Sequence, residues 1–539
     1  MKRQVRQSRL YYMETSGELI GIQQPLEAKD PIGKALKTLF GLDYLFPYQR
    51  LVISNILEAA QARGLSVAWP LEQDAGTESP SGENPAEVAP AAETDPECLG
   101  RQIVILPTGA GKSLCFQFPA MLLSGPTLVI YPILSLMADQ ERRLRERGFA
   151  PVLLRGGQTA EEREAVWESL RSGKSRFVIA NPEVLLTPQV MKKLPDIGII
   201  HLVIDEAHCV SEWGESFRPD YLRIGEIIEA IRGKSRGPMV TAFTATASET
   251  VLEKIDRYIF AANENSGALR IIGNPDRSNI FYSVMGALLK DIAVRDLVTA
   301  NERPAIVFCS SREGVMKLAR FLRNSLNDSN IKFYHAGLSR EEKTAVEKWF
   351  FPNPAGVLVS TCAYGMGVDK PDIRTVIHRD SPPSVEAYLQ ESGRAGRDGK
   401  ASRAFFLWGP GDEKRNRTSG PDQKRLEALL DYARNINICR RDELLNLLNY
   451  EGPRDSPGEM CCDVCQGKAI GRFREENAVT DFVKRNRRVY TVIEAANVIG
   501  KADNLNIGEA DAKELLGLLL YRKKIRKSGK FLWKNRLTV

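Results

Sequence analysis

Two short stretches of this 539-residue chain carry residue types that do chemistry on phosphates. LPTGAGKS (106–113) follows the apolar run QIVI and precedes LCFQFPAML, so a glycine-rich turn joins a strand to a helix. Gly109 and Gly111 allow backbone that other residues avoid. With Thr108 and Ala110 they aim amide N–H groups at an anion. Lys112 adds a positive charge for β- and γ-phosphate oxygens, and the Ser113 hydroxyl suits Mg²⁺. HLVIDEAH (201–208) places two carboxylates at the end of an apolar run. Asp205 suits Mg²⁺ through water, and Glu206 suits the orientation and deprotonation of an attacking water. A buried acidic pair with no cation nearby is costly, so a purely structural role is a poor account of it. Together the stretches point to ATP hydrolysis.

Other residues suit nucleic acid or metal. In WGESFRPDY (213–221), Trp213, Phe217 and Tyr221 offer faces on which unpaired bases stack, at ~1–3 kcal/mol per base. The alternative for these rings is core packing. Arg218 adds charge for a phosphate backbone. Gln49, in FPYQ (46–49), carries an amide that pairs the donor and acceptor edge of adenine. Cys462 and Cys465 have zinc-knuckle spacing, with Cys461 adjacent and Cys439 on a preceding helix. Nine cysteines are too few for a disulfide scaffold, and clustered thiols in a reducing compartment bind metal.

These residues need elements to hold them. QIVILP, TLVIYP, RFVIA, HLVIDEAH and MVTAFTAT are Val- and Ile-rich runs separated by amphipathic stretches. A second series follows: AIVFCSS, FYHAGL, GVLVST, TVIHRD and RAFFLWG. Strands alternating with helices predict two tandem α/β domains with parallel sheets. The predicted division is an extension at 1–30, a first domain at 31–265, a second at 266–412, a cysteine-bearing helical module at 413–470 and a basic domain at 471–539. The linker between the two α/β domains is placed near 262–278. Residues 30–62 read as helix, broken at Pro47. Residues 72–97 hold eight acidic residues, no basic ones and four prolines, so the span 66–98 reads as a disordered acidic insertion. The last segment reads as three helices and a hairpin around Ser528–Gly529, the pattern of a winged helix.

In order along the chain, FPYQ, LPTGAGKS, YPILSLMADQ (131–140), DEAHCVSEWGESFRPDY (205–221), FTATA (243–247), AIVFCSSR (305–312), YGMGVDKPDIRTVIH (364–378) and QESGRAGRDG (390–399) closely resemble the RecQ family of superfamily 2 DNA helicases. The resemblance covers roughly 33–466 apart from the insertion. It implies two RecA-like domains, ATP with Mg²⁺ as cofactor, and single-stranded, tailed or forked DNA as partner. It implies that the aromatic loop couples strand contact to hydrolysis and that Thr244, Thr246 and His208 link the two domains. It also implies that Arg394 and Arg397, three apart on one helix face, reach the γ-phosphate, with Arg397 as arginine finger, and that Asp369 lies near the nucleotide. A four-cysteine Zn²⁺ site at Cys439, Cys461, Cys462 and Cys465 follows from the same resemblance. Cys98, Cys115, Cys209, Cys309 and Cys362 are expected to be core or loop residues.

The chain departs from the family pattern in places. Leu42 and Phe46 replace a tyrosine and a basic residue that contact adenine, which leaves Tyr44, Phe46 or Tyr48 to stack on it. Glu215 stands where relatives often have histidine. Glu459 stands where the third metal ligand usually lies, so Cys461 takes that place. A helicase-and-RNase-type terminal domain is not expected.

Charge and composition set the remaining bounds. Hydrophobic residues are 43% and charged residues 27%, which excludes wholly disordered and fibrous chains. No apolar run is long enough to span a membrane, and no secretory signal is read, so the expectation is a bacterial cytoplasmic or nucleoid protein. Residues 471–539 hold 16 basic and 8 acidic residues, a surface for DNA, while the insertion or the tail could dock a protein partner. The expected function is a 3′ to 5′ ATP-dependent DNA helicase. The alternatives are a DNA-stimulated translocase that remodels complexes without separating strands, and a binding subunit with a dead ATPase. The second is disfavoured by the intact Lys112, Asp205, Glu206 and Arg397.

Overall fold

The Val- and Ile-rich runs do form parallel strands, in two sheets. The computed structural model describes residues 10–13, 30–70, 100–107, 109–212, 218–232, 237–245, 248–260, 268–362, 364, 370–412, 421–448, 450, 452, 461–471, 473–502 and 507–539. The first sheet contains β1 (Leu10–Met13), β2 (Arg101–Ile105), β3 (Thr127–Ile130), β4 (Val152–Leu154), β5 (Phe177–Ala180), β6 (His201–Ile204), β7 (Met239–Thr244) and β8 (Leu269–Gly273). Their spatial order is β1-β8-β2-β7-β6-β3-β5-β4. β3, β5, β6 and β7 are buried along their whole length, which is why they read as unbroken apolar runs. Alternate residues feed opposite cores: Ile103, Leu128, Val178 and Leu202 on one face, Val104, Val129, Ile179 and Val203 on the other.

The second sheet contains β9 (Ile280–Gly286), β10 (Ala305–Phe308), β11 (Ile331–Tyr334), β12 (Val357–Ser360), β13 (Thr375–His378) and β14 (Ser402–Trp408). Its order is β11-β12-β10-β13-β14-β9, again all parallel. Eight helices bear on the sites: α1 (Pro47–Ala62), α2 (Lys112–Leu122), α3 (Val385–Ser392), α4 (Pro421–Arg434), α5 (Arg440–Leu447), α6 (Arg474–Arg485), α7 (Val492–Gly500) and α8 (Glu509–Tyr521).

The chain divides into two compact units between Pro275 and Asp276. The boundary expected at 265 falls short because β8 pairs with β2 and so belongs to the first sheet. The second unit, 276–450 with 456–539, includes the four clustered cysteines and the basic tail. The tail's core of Val479, Ala496, Leu515 and Leu519 includes Leu288, Leu289 and Ile292 from the segment after β9. The start of the expected insertion is also packed. Val67 bridges Leu123, and the Ala68 N–H donates to the Leu122 carbonyl at 2.7 Å. The rest of that insertion, from 71 to 99, lies outside the described residues.

The hairpin is wider than expected. β15 (Arg526–Lys527) pairs antiparallel with β16 (Leu537–Thr538), so the turn is not a tight one at Ser528–Gly529. Phe531–Trp533 forms a 3₁₀ turn inside the loop. The Ser528 N–H donates to the Arg536 carbonyl and the Asn535 N–H to the Ser528 carbonyl, closing the ribbon there.

Candidate functional site

β2 and β6 are separated in the first sheet by β7 alone. The turn after β2 and the carboxylates after β6 therefore emerge side by side at the C-terminal sheet edge, where ligands bind in parallel sheets. Gly109 (φ 88°) and Gly111 (φ 73°) adopt left-handed backbone, and Gly111 caps α2. A Cβ at Gly111 would lie 2.5 Å from Gln49 Nε2, so close approach as well as conformation requires glycine. The loop delivers Lys112 and the half-buried Ser113 onto the first turn of α2, where N–H groups and the helix dipole favour an anion. Thr108 lies outside the described residues.

Lys112 Nζ stands 3.9 Å from Glu206 Oε1. Asp205 is buried and its Oδ1 accepts the Glu206 N–H at 3.0 Å. Burial, then the neighbouring Glu206 charge, pushes the Asp205 carboxyl up to about 7, with Lys112 opposing. Glu206 has φ 51°, a left-handed conformation that costs a non-glycine residue roughly 1–3 kcal/mol and is met at functional sites. Its other oxygen lies 3.4 Å from His208 Nδ1, and that nitrogen lies 3.2 Å from Thr244 Oγ1. His208 and Thr244, read as links between domains, thus meet each other and Glu206 within the first unit; Thr246 lies outside the described residues. A lysine, a hydroxyl and two crowded carboxylates around a glycine cradle fit a nucleotide phosphate with Mg²⁺: the crowding that raises Asp205 is what a cation would relieve.

Gln49, expected to pair adenine, lies against the phosphate loop. Its Oε1 accepts the Phe46 N–H at 3.0 Å and its Nε2 donates to the Ala110 carbonyl at 3.0 Å, so the buried amide braces the phosphate loop. The Tyr48 hydroxyl donates to the same carbonyl at 3.3 Å. Beside it, Phe46 stacks on Tyr48 with ring centres 5.4 Å apart, and Tyr44 meets Phe46 edge-on. Phe46 is 51% exposed, an apolar platform next to the loop.

The aromatic loop divides. Trp213, Glu215 and Phe217 lie outside the described residues. Tyr221 is fully buried among Val210, Ile224 and Ile227, so the core-packing alternative holds for it and no base stacks there. Arg218 is half-buried, donates to the Pro132 carbonyl and lies 3.4 Å from Glu183.

In the second unit α3 ends at Ser392, so Arg394 and Arg397 sit in turns and not on a helix face. Gly396 (φ 55°) cannot continue a helix, and the carbonyls of Gly393, Ala395 and Gly396 accept hydrogen bonds from the Arg277 side chain. Arg394 is buried and Arg397 half-buried. Asp369 lies outside the described residues.

The four cysteines converge. Cys439 caps α5, and Cys461 and Cys462 run alongside the edge strand β9: the Tyr282 N–H donates to the Cys461 carbonyl and the Asp463 N–H to the Tyr282 carbonyl. With Cys465, all four sulfurs lie within 4.8 Å of one another, 3.4 Å for Cys439–Cys461 and 3.9 Å for Cys439–Cys462. Tetrahedral thiolate arms of ~2.3 Å place sulfurs ~3.8 Å apart, so the set fits one Zn²⁺. Cys462 Sγ also accepts the N–H groups of Arg440 and Cys465, each at 3.4 Å. The hydrogen bond from Cys439 holds the Cys462 thiol down at about 5, toward thiolate. Cys461 thus joins the cluster, while Glu459 lies outside the described residues. Cys115, Cys209 and Cys309 are buried and Cys362 is exposed, and none of them belongs to the cluster; Cys98 lies outside the described residues.

Side-chain ties that no motif announces hold this cluster. Arg440 Nε donates to Asp463 Oδ1 at 3.0 Å, and Arg441 Nε to Asp276 Oδ1 at 2.8 Å. Adjacent basic residues after Cys439 were the only signal of them in the sequence.

The DEAD/DEAH box helicase profile matches residues 87–255, and the helicase conserved C-terminal domain profile matches 289–399. The chain is 41% identical over 314 residues to "Probable ATP-dependent DNA helicase RecS" of Bacillus subtilis (strain 168), covering 58% of this chain and 61% of that one. It therefore spans about three fifths of that relative's length. It is 30% identical over 421 residues to ATP-dependent DNA helicase RecQ of the same organism, covering 76% and 70%. Among solved structures, Mss116p bound to single-stranded RNA and AMP-PNP matches with a TM-score of 0.54 at 17% identity, over 95% of this chain and 94% of that one, a likeness of fold.

Proposed function

The chain belongs to the RecQ family of DEAD/DEAH box helicases, and from that membership we propose that it is an ATP-dependent DNA helicase moving 3′ to 5′ on single strands. The observation that carries the reading is the meeting of Lys112, Asp205 and Glu206 at one sheet edge. The loop N–H groups and Lys112 bind and orient the triphosphate. Asp205 and Ser113 would hold Mg²⁺, which when bound draws charge from the phosphate oxygens. Glu206 orients the attacking water and accepts its proton, while His208 and Thr244 hold that carboxylate in place. Arg397 meets the charge that develops on the γ-phosphate, a contribution of ~10³–10⁵ in rate in other nucleotidases. Exposed Phe46 supplies the face for adenine in place of the family's tyrosine.

Trp213 and Phe217 stack on unpaired bases, and Arg218 leaves Glu183 to meet a phosphate. Cys439, Cys461, Cys462 and Cys465 would hold Zn²⁺, which when bound would cross-link the segment that carries them. The tail acts as a winged helix whose exposed Lys523, Lys524, Arg526, Lys527 and Lys530 face duplex phosphates. Among the described residues no helix is long and apolar enough to cross a membrane.

Unwinding of 3′-tailed, 5′-tailed and forked duplexes, beside ATP turnover, tests the reading. Strand separation from 3′ tails that vanishes in Lys112→Ala and Glu206→Gln is the expected result. Vigorous DNA-stimulated turnover with no displacement on any substrate refutes unwinding and leaves a translocase.

A further inference from the structure

The backbone that carries Arg394 and Arg397 is held by side chains from a distant part of the second unit. After α3 ends, residues 393–399 form turns built on Gly396, whose added Cβ would lie 2.5 Å from Asn279 Nδ2 and 2.6 Å from Ser402 Oγ. Within these turns the Gly396 carbonyl accepts the Gly399 N–H at 3.0 Å. Arg277 supplies further donors: Nη1 to the Gly393 carbonyl at 3.2 Å, and Nη2 to those of Ala395 at 3.2 Å and Gly396 at 2.9 Å. Asn279 Nδ2 adds hydrogen bonds to the Gly396 carbonyl at 2.8 Å and the Lys400 carbonyl at 2.9 Å.

One guanidinium thus fixes the peptide just before Arg394, the one just before Arg397 and the Ala395–Gly396 peptide between them. A planar fork with several donors suits this better than a lysine point charge would. The Arg277–Asn279 segment is itself anchored. Asp276 pairs with Arg441, the Arg277 carbonyl accepts the Ile280 N–H, and the Asn279 carbonyl accepts the Ser402 N–H, tying it to β9 and β14. Arg277 is half-buried, and Arg397 is near enough for its charge to act on it.

We propose that Arg277 and Asn279 are positioning residues for ATP hydrolysis, which act by setting the backbone from which Arg397 reaches the phosphate. This rests on the role given above to Arg397. Neither residue is asked to touch nucleotide. Loss of the clamp should therefore slow the chemical step and leave ground-state binding intact, because small misplacement of a group used in the transition state costs up to ~10²-fold in rate.

The test is a double-mutant cycle on the full chain, with single-stranded DNA and saturating ATP. Arg277→Gln is expected to lower kcat by roughly 10- to 100-fold, with KM for ATP and affinity for single strands within about threefold of wild type. Asn279→Ala is expected to have a smaller effect of the same kind. In an Arg397→Ala background, neither change should lower kcat by more than about twofold further, since both act through the missing side chain.

Effects that multiply when Arg397→Ala is itself slow overturn the positioning role alone. A wild-type kcat in Arg277→Gln overturns it too, as does a rise in KM that accounts for the whole loss. Wild-type turnover in Arg397→Ala overturns the reading of Arg397, and the proposal with it. If Arg277→Gln does not fold, the Asn279→Ala arm of the cycle decides by the same criteria.

Discussion

Replacing Asp463 should unfasten the cysteine module from the second sheet. The carboxylate is buried between two of the clustered cysteines and serves three donors. Oδ1 accepts from Arg440 Nε at 3.0 Å and the Val464 N–H at 2.9 Å, and Oδ2 accepts the Val284 N–H of β9 at 3.0 Å. Arg440 is 1% exposed and gives another donor to the Tyr432 carbonyl at 2.6 Å. Asp463→Ala leaves that guanidinium buried without its counter-charge, a change that costs ~3–5 kcal/mol. It also orphans the Val284 N–H, worth a further ~1–3 kcal/mol where water cannot reach it. Relaxation should recover part of this, so we expect a net loss of about 3–5 kcal/mol. In a unit of this size that is a fall in Tm of roughly 6–20 °C for the transition of the second unit.

The assay is thermal unfolding together with amide hydrogen exchange. Exchange should rise in 282–286 and 461–470 and stay unchanged in the first sheet. Adding Arg440→Met should restore much of the loss, because it removes the stranded charge. A loss below about 1 kcal/mol, well under the cost of stranding a buried charge, refutes the argument. So does further destabilisation on adding Arg440→Met, or unaltered exchange along β9.

Three other outcomes follow from the sites. Burial, then Glu206, holds the Asp205 acid at about 7 against an ordinary value of 3.8, so the metal-free folded protein keeps a proton that the unfolded chain has lost; wild-type stability measured against Asp205→Asn should fall between about pH 4 and 7, at up to ~1.4 kcal/mol per unit, and level off above, whereas a flat difference would contradict the shift. Metal analysis should find about one Zn²⁺ per chain, as one four-thiolate site requires, and Cys465→Ser should lower that content and the stability of the second unit; full zinc and unchanged stability would remove Cys465 from the ligand set. Because the tail shares its core with Leu288, Leu289 and Ile292, charge neutralisation tests it better than truncation: changing Lys523, Arg526, Lys527 and Lys530 to Gln should reduce the salt slope of duplex binding by about 3–4, near 0.9 for each lost phosphate contact, and an unchanged slope would direct that charge to another partner.

What the sequence alone determined was whatever the backbone imposes locally. Gly109 and Gly111 between a strand and a helix announce a phosphate loop because other residues resist their backbone angles. β3, β5 and β6 announce themselves because a strand covered on both faces is apolar throughout. Cys462 and Cys465 announce a ligand pair because their spacing is a local property. Tertiary structure decided which side chains are covered and which distant segments meet. Tyr221 could stack on a base or fill the core, and the neighbouring helices buried it. Gln49 was legible as a polar residue near the nucleotide, but only packing showed that its amide meets the Ala110 carbonyl of the loop. Arg394 and Arg397 looked helical by spacing, but Gly396 and the donors of Arg277 and Asn279 stabilise turns there. Arg277 lies 116 residues before the first carbonyl it holds. No period or motif spans such a gap, because a hydrogen bond between distant segments leaves no regular spacing in the chain and arises only when packing brings donor and acceptor together.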